Sequence, residues 1–139
     1  TERIGPSAAI KTLEIMNEIK SWEIITEIGL KVNRLWLELA KIYNLKIDIS
    51  GLPAISNYRF QSTNHLKYKT LIAQEMLKKG FLASTSFYSS IAHNDEIIEK
   101  YFDNLDHVFS TISKCEKSKI NIDLLLDGPV CHDGFKRLN

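Results

Sequence analysis

Two rhythms of apolar residues run along this chain: steps of three and four over most of it, and alternation in a short middle stretch. Gly5-Pro6 opens the first periodic segment, because proline suits a first helical turn whose N–H has no partner. Ala9, Leu13 and Met16, flanked by Ile10, then share one face of a helix expected to reach about Ile19. Ser21 is positioned to cap a longer helix, in which Ile25, Ile28, Val32, Leu35, Leu39 and Ile42 form a seam expected to pack in the core. Gly29 interrupts that helix at a cost of about 1 kcal/mol relative to alanine, which marks a place of close packing. Glu27 and Lys31 stand in the favourable order for a pair one turn apart.

Alternation takes over at Lys46–Ser50, where Ile47 and Ile49 face one way and Asp48 the other, as in a half-buried strand. Gly51-Leu52-Pro53 reads as a turn, and Ala54–Phe60 as a second strand with Tyr58 and Phe60 opposite Arg59, so an antiparallel pair is expected. Helical spacing returns after Asn64, a candidate cap, with Tyr68, Leu71, Ile72 and Met76, and Gly80 ends that helix. Phe81-Leu82-Ala83 has the composition of a short buried strand, and Ser84–Ser90 that of a hydroxyl-rich loop. Asn94 caps a last long helix, with Asp95 and Glu96 at its positive end and Ile98, Tyr101, Leu105, Val108 and Ile112 along its apolar face. Phe102 and Phe109 widen that face, which is expected to cover the sheet. Lys114–Lys119 reads as a fraying connector, Ile122–Leu126 as one more helical turn ended by Gly128-Pro129, and the rest as an extended tail.

Composition narrows the function classes. With 139 residues the chain is one domain by length, large enough for a real core. Its parts are a helical pair to residue 45, sheet and helices over 46–113, and a tail over 114–139. A net charge of +1 argues against a nucleic-acid or membrane partner. Cys115 and Cys131 form neither a disulfide framework nor a zinc pattern, and free thiols fit a cytoplasmic protein. No apolar run is long enough to span a bilayer. Opening on Thr1, inside a patterned segment, the chain is read as part of a longer one.

The segments TERIGPSAAIKTLEIM, YKTLIAQEMLKKGFLAS and AHNDEIIEK, in that order, resemble the C-terminal small domain of class III pyridoxal-phosphate-dependent aminotransferases. Within them the similarity is greatest to the glutamate-1-semialdehyde 2,1-aminomutase branch. The resemblance implies an α+β fold: a small antiparallel sheet of about three strands covered by helices, the C-terminal domain of a fold-type I aminotransferase. It implies pyridoxal phosphate in the parent enzyme, bound as a Schiff base to a lysine of a large domain preceding Thr1. The partners implied are that large domain, a second subunit in a dimer, and a small-molecule amino donor or acceptor. The fragment alone is then expected to bind no cofactor and to be inactive.

By the same resemblance Thr1 stands where the family's threonine contacts the cofactor phosphate of the neighbouring subunit, a role suited to a hydroxyl beside a helix start. Ser86 and Tyr88 become candidates for substrate contact, because Ser84–Ser90 would face the active-site entrance. The aminomutases carry a glutamate in this region, whereas no acidic residue lies between Gly80 and His93 here. Of the arginines Arg3, Arg34, Arg59 and Arg137, none matches the family's carboxylate-binding position, and Arg3 reads as a surface cation. His93 is at a place the family fills with a structural histidine. His65, His107 and His132 are scattered, and the adjacent Cys131-His132 is a poor ligand pair for zinc. Lys67 and Lys69 read as exposed, and so as poor Schiff-base lysines. The competing reading is a non-catalytic interaction or dimerisation domain, supported by apolar residues at helix edges such as Ile24, Trp36 and Leu37.

Overall fold

The computed structural model describes residues 2–134. Its elements are α1 (Ile4–Ile19), α2 (Ser21–Ile42), β1 (Ile47–Leu52), β2 (Ile55–Phe60), α3 (His65–Lys78), β3 (Ser86–Tyr88) and α4 (Asp95–Glu116), followed by a 3-10 turn at Ile122–Leu124. The three strands form an antiparallel sheet in the order β1-β2-β3. The fold is α+β, as the patterning and the resemblance both imply. Thr1 and the end of the tail, with Arg137, lie outside the described residues.

The β1–β2 hairpin closes through Pro53 and Ala54, because Leu52 pairs with Ile55. β1 thus runs through two of the residues expected in the turn. Gly51 takes a φ of 92° there, and a Cβ would come within 2.4 Å of the Ile55 carbonyl oxygen, so only glycine fits. Ser56, fully buried, donates from its hydroxyl to the carbonyls of Leu52 and Pro53 at 3.2 and 3.0 Å. Alternation then does what period two requires: Ser56, Tyr58 and Phe60 point inward, while Asn57 and Arg59 point out beside Ser50 and Asp48 of β1.

Onto the inner face of β2 converge Trp36 of α2, Tyr68 of α3 and Phe109 of α4. Ring centroids lie at 4.6 Å for Trp36–Tyr58, 5.5 Å for Phe60–Tyr68 and 5.4 Å for Phe60–Phe109, spacings at which tilted and edge-on rings attract. Trp36, read from sequence as an exposed edge residue, is at 0% exposure the centre of the core. The buried face of α2 is Gly29, Val32, Trp36, Leu39 and Ala40, so the expected seam is rotated and Ile42 ends 71% exposed. Gly29 is indeed a close contact: a Cβ would lie 1.7 Å from the Pro53 carbonyl oxygen.

Several local expectations are corrected. Lys31 pairs with Asp95 at 2.7 Å rather than with Glu27, which ties α2 to the start of α4. The cap position of α2 is Lys20, in the left-handed region at φ 50°, and Ser21 is the first helical residue with its buried hydroxyl unpartnered. Asn64 occupies the α3 cap position without a side-chain hydrogen bond. α4 continues through Lys114 to Glu116 before the connector begins. Asn94, by contrast, caps α4 as its sequence implies, its Oδ1 accepting from the Ile97 N–H at 2.9 Å. Asn94→Ala should therefore cost about 1 kcal/mol, read as a lower urea midpoint with an unchanged slope.

Burial pushes the phenols of Tyr58, Tyr68 and Tyr101 upward, and the Glu116 carboxylate bonded to the Tyr68 hydroxyl adds to the shift there. Unfolded, these tyrosines ionise near their ordinary value of about 10, while the folded chain keeps the protons. The folded state thus binds more protons at high pH, so this stabilisation is complete below pH ~10 and is lost as pH rises above it. Each such tyrosine should steepen the loss by about 1.4 kcal/mol per pH unit. Urea midpoints measured across that range should be flat and then fall sharply; a midpoint unchanged to pH ~11 would contradict the burial.

Candidate functional site

The segment between α3 and α4 shapes two clefts. α3 ends in a double hydrogen bond, Phe81 N–H to the Met76 carbonyl and Gly80 N–H to the Leu77 carbonyl, both at 2.9 Å, with Gly80 at φ 84°. That reversal sends Phe81–Ala83 along the protein as irregular chain, with Leu82 98% exposed, so the expected buried strand is absent there. The third strand lies instead within the expected hydroxyl-rich loop. Ser86, Phe87 and Tyr88 pair with Asn57, Ser56 and Ile55. Phe87 turns inward to the Trp36 ring at 6.3 Å, so Ser86 and Tyr88, two residues apart, fall on the other face and are exposed.

The first cleft, of about 330 Å³, lies between this segment and the start of α4. Ser86 and Tyr88 line it, with Phe81, His93, Ile97 and Tyr101. The structure thus brings both sequence candidates to one concavity. His93 Nδ1 accepts from the Ser90 N–H at 3.1 Å, which leaves Nε2 as the protonated nitrogen of the neutral ring. The ring packs 4.9 Å from Phe87, which also holds the loop before α4. Tyr101, buried beneath, accepts from Trp36 Nε1 at 3.1 Å. This cleft offers apolar and aromatic contact with a few polar groups.

A second cleft, of about 210 Å³, opens on the other side of the segment between the end of β2 and the first half of α3, and shares Ser86 with the first. Arg59, His65, Lys69 and Thr85 line it. Arg59 Nη2 lies 2.8 Å from His65 Nε2, and His65 Nδ1 lies 3.2 Å from the Ser62 carbonyl. Guanidinium only donates, so His65 accepts at Nε2 and carries its proton on Nδ1. Sequence reasoning passed over this cluster. The signal available was the one-turn spacing of His65 and Lys69 on a helix that begins just after a strand bearing Arg59.

Neither cleft is lined by a fully buried lysine, the desolvated kind that suits a Schiff base. No lysine among the described residues is buried; Lys67 and Lys69, expected to be exposed, are both half-buried, Lys67 held by Asp123 at 2.6 Å and Lys69 lining the second cleft, while Lys78 is held by Glu75 and Asp127. The described residues contain no cluster of three metal-ligating side chains, and no helix long and apolar enough to cross a membrane. Cys131 docks on α3, its N–H donating to Thr70 Oγ1 at 2.9 Å.

No protein-family model matches the sequence. Among solved structures the chain is similar to the FumI protein of Sphingopyxis sp. MTA144 in its PLP (pyridoxal phosphate) internal aldimine form. The likeness has a TM-score of 0.69 at 20% identity and covers 86% of this chain, which spans 29% of the FumI chain. The shared fold is thus that of one part of a larger, pyridoxal-phosphate-bearing protein.

Proposed function

We propose that this chain is the C-terminal small domain of a longer pyridoxal-phosphate-dependent enzyme, of the class III aminotransferase type and the glutamate-1-semialdehyde 2,1-aminomutase-like branch. The observation that carries this reading is the fold shared over 86% of the chain with 29% of a pyridoxal-phosphate-bearing protein. The cofactor, when bound, supplies an electron sink for chemistry at an amino group. In this reading its lysine and most of its pocket belong to an upstream large domain, and the chain alone is inactive. The substrate is a small amino donor or acceptor, and the enzyme a cytoplasmic dimer. Ser86 and Tyr88 meet the substrate at the cleft mouth, and Thr1 meets the cofactor phosphate across the subunit boundary.

α1 supports the reading independently. None of its residues is buried, although Ile4, Ile10, Leu13, Ile15, Met16 and Ile19 are spread around its circumference, with Ile4 81% and Leu13 65% exposed. A helix apolar on all sides is normally an enclosed one, which suits a large domain and a second subunit as its surroundings. The same surface also favours the second reading, a dimerisation or interaction domain without catalysis.

One pair of substitutions separates the two. Leu13→Glu and Met16→Glu should leave the stability of the 139-residue chain within about 0.5 kcal/mol, because both side chains lie outside its core. In the protein extended upstream the same changes should cause loss of bound pyridoxal phosphate and of activity. If they instead only turn a self-associated 139-residue chain into a monomer, and cofactor binding in the longer protein is untouched, the interaction-domain reading replaces the enzymatic one.

A further inference from the structure

The second cleft carries a charge arrangement that the fold does not need. α3 has no acidic residue in its first turn and no side-chain cap, although a helix start is the positive end of the backbone dipole and normally attracts carboxylates. It presents His65 and Lys67 there instead, with Lys69 one turn further along. Lys67 is neutralised by Asp123, as Lys31 and Lys78 are by aspartates, at 2.6 to 2.9 Å. Arg59 and Lys69 have no such partner among the described residues. Asp48, opposite Arg59 in the β1–β2 register, accepts from the Gln61 amide at 2.6 Å instead. Asp133, at the cleft wall, lies 4.0 Å from His65 and is two-thirds exposed.

The hydrogen bond to His65 fixes the direction of the Arg59 fork. Through Nη2 it spends one donor on the imidazole and keeps the others for a ligand, while His65 is itself held by the Ser62 carbonyl. Lys69 stands one turn along the same face of α3 as His65. Asn57, Thr85 and Ser86 add groups able to hydrogen-bond, Thr85 being buried, to a lining that also includes Tyr58, Phe60 and Leu66.

We propose that this cleft is an oxyanion-binding site, taking a phosphate or carboxylate group of a small-molecule ligand between Arg59 and Lys69. A planar guanidinium held in place, with a lysine beside it, recognises two oxygens of one group at once. The site does not rest on the cofactor reading and belongs to the chain as it stands.

The test is a proton–nitrogen NMR titration of the 139-residue chain with inorganic phosphate and, separately, with succinate, at constant ionic strength. Saturable shifts should cluster on the amides of Arg59, Lys69, Thr85 and Ser86, with an apparent Kd on the order of 1 mM. Arg59→Gln and Lys69→Gln should each weaken binding about tenfold, while Lys67→Gln, which loses only an outer ion pair, should leave it unchanged. A dispersed spectrum reports that each variant is folded. Saturation by phosphate alone, by succinate alone or by both identifies the group taken, and each supports the site. Shifts that never saturate, or that persist undiminished in Arg59→Gln and Lys69→Gln, overturn it.

Discussion

Trp36→Ala is expected to remove about 4 kcal/mol of stability, the cost of truncating a fully buried aromatic side chain. The ring is in contact with Tyr58 and Phe87, and its indole N–H donates to the Tyr101 hydroxyl. Removing it opens a cavity where α2, β2 and α4 meet and strands a hydrogen-bonding partner in the interior, so two penalties add. Because a domain of this size is stable by about 5–15 kcal/mol, the variant should lie near its unfolding threshold at physiological temperature. The urea midpoint reads the effect. A loss under about 1 kcal/mol would mean that the ring is not at the centre of the core.

Gly29→Ala is the sharper test, because its sign separates two accounts. In an ordinary helix interior the change gains about 1 kcal/mol. Here the new methyl would stand 1.7 Å from the Pro53 carbonyl oxygen and 3.1 Å from Ser89 Oγ. The nearest neighbour is backbone in the hairpin turn and cannot swing away, so α2 must separate from the hairpin. A loss of about 3 kcal/mol is expected, at the upper end for overpacking a well-filled site. A stabilised variant would show that α2 and the hairpin do not approach as described.

These two positions also show how far the sequence could be read. The glycine was legible as a sign of close packing, because an uncompensated glycine in a helix needs a reason. Trp36 was not, although it follows Val32 by one turn and belongs to the stripe that begins at Gly29. α2 is apolar over a wide arc, and periodicity finds such an arc without choosing the part that faces the core. β2 was clear because tertiary burial and local alternation agree along it. β3 was not, since three residues make too short a pattern and its pairing with β2 is a backbone matter. The run Phe81–Ala83 looked more like a strand, but the reversal at Gly80 turns Leu82 outward.

The hydroxyl-rich composition of Ser84–Ser90 pointed to a site mouth, and the resemblance singled out Ser86 and Tyr88 within it. The cleft they share with His93 and Tyr101 depends on where α4 starts, which Asn94 signals locally. The cationic cleft required β2 and α3 to be placed side by side. Arg59 read singly is an outward strand residue, and His65 read singly is an isolated histidine; only the fold brings the two nitrogens to 2.8 Å.

The proposal that this fold serves a pyridoxal-phosphate enzyme meets its most direct test in an absorbance titration with pyridoxal phosphate. It is run in parallel on the 139-residue chain and on the protein extended upstream. The account predicts that only the extended protein gains a Schiff-base absorbance band, and that this band shifts when an amino donor is added. An extended protein that never develops the band would contradict it and leave the likeness as one of fold alone.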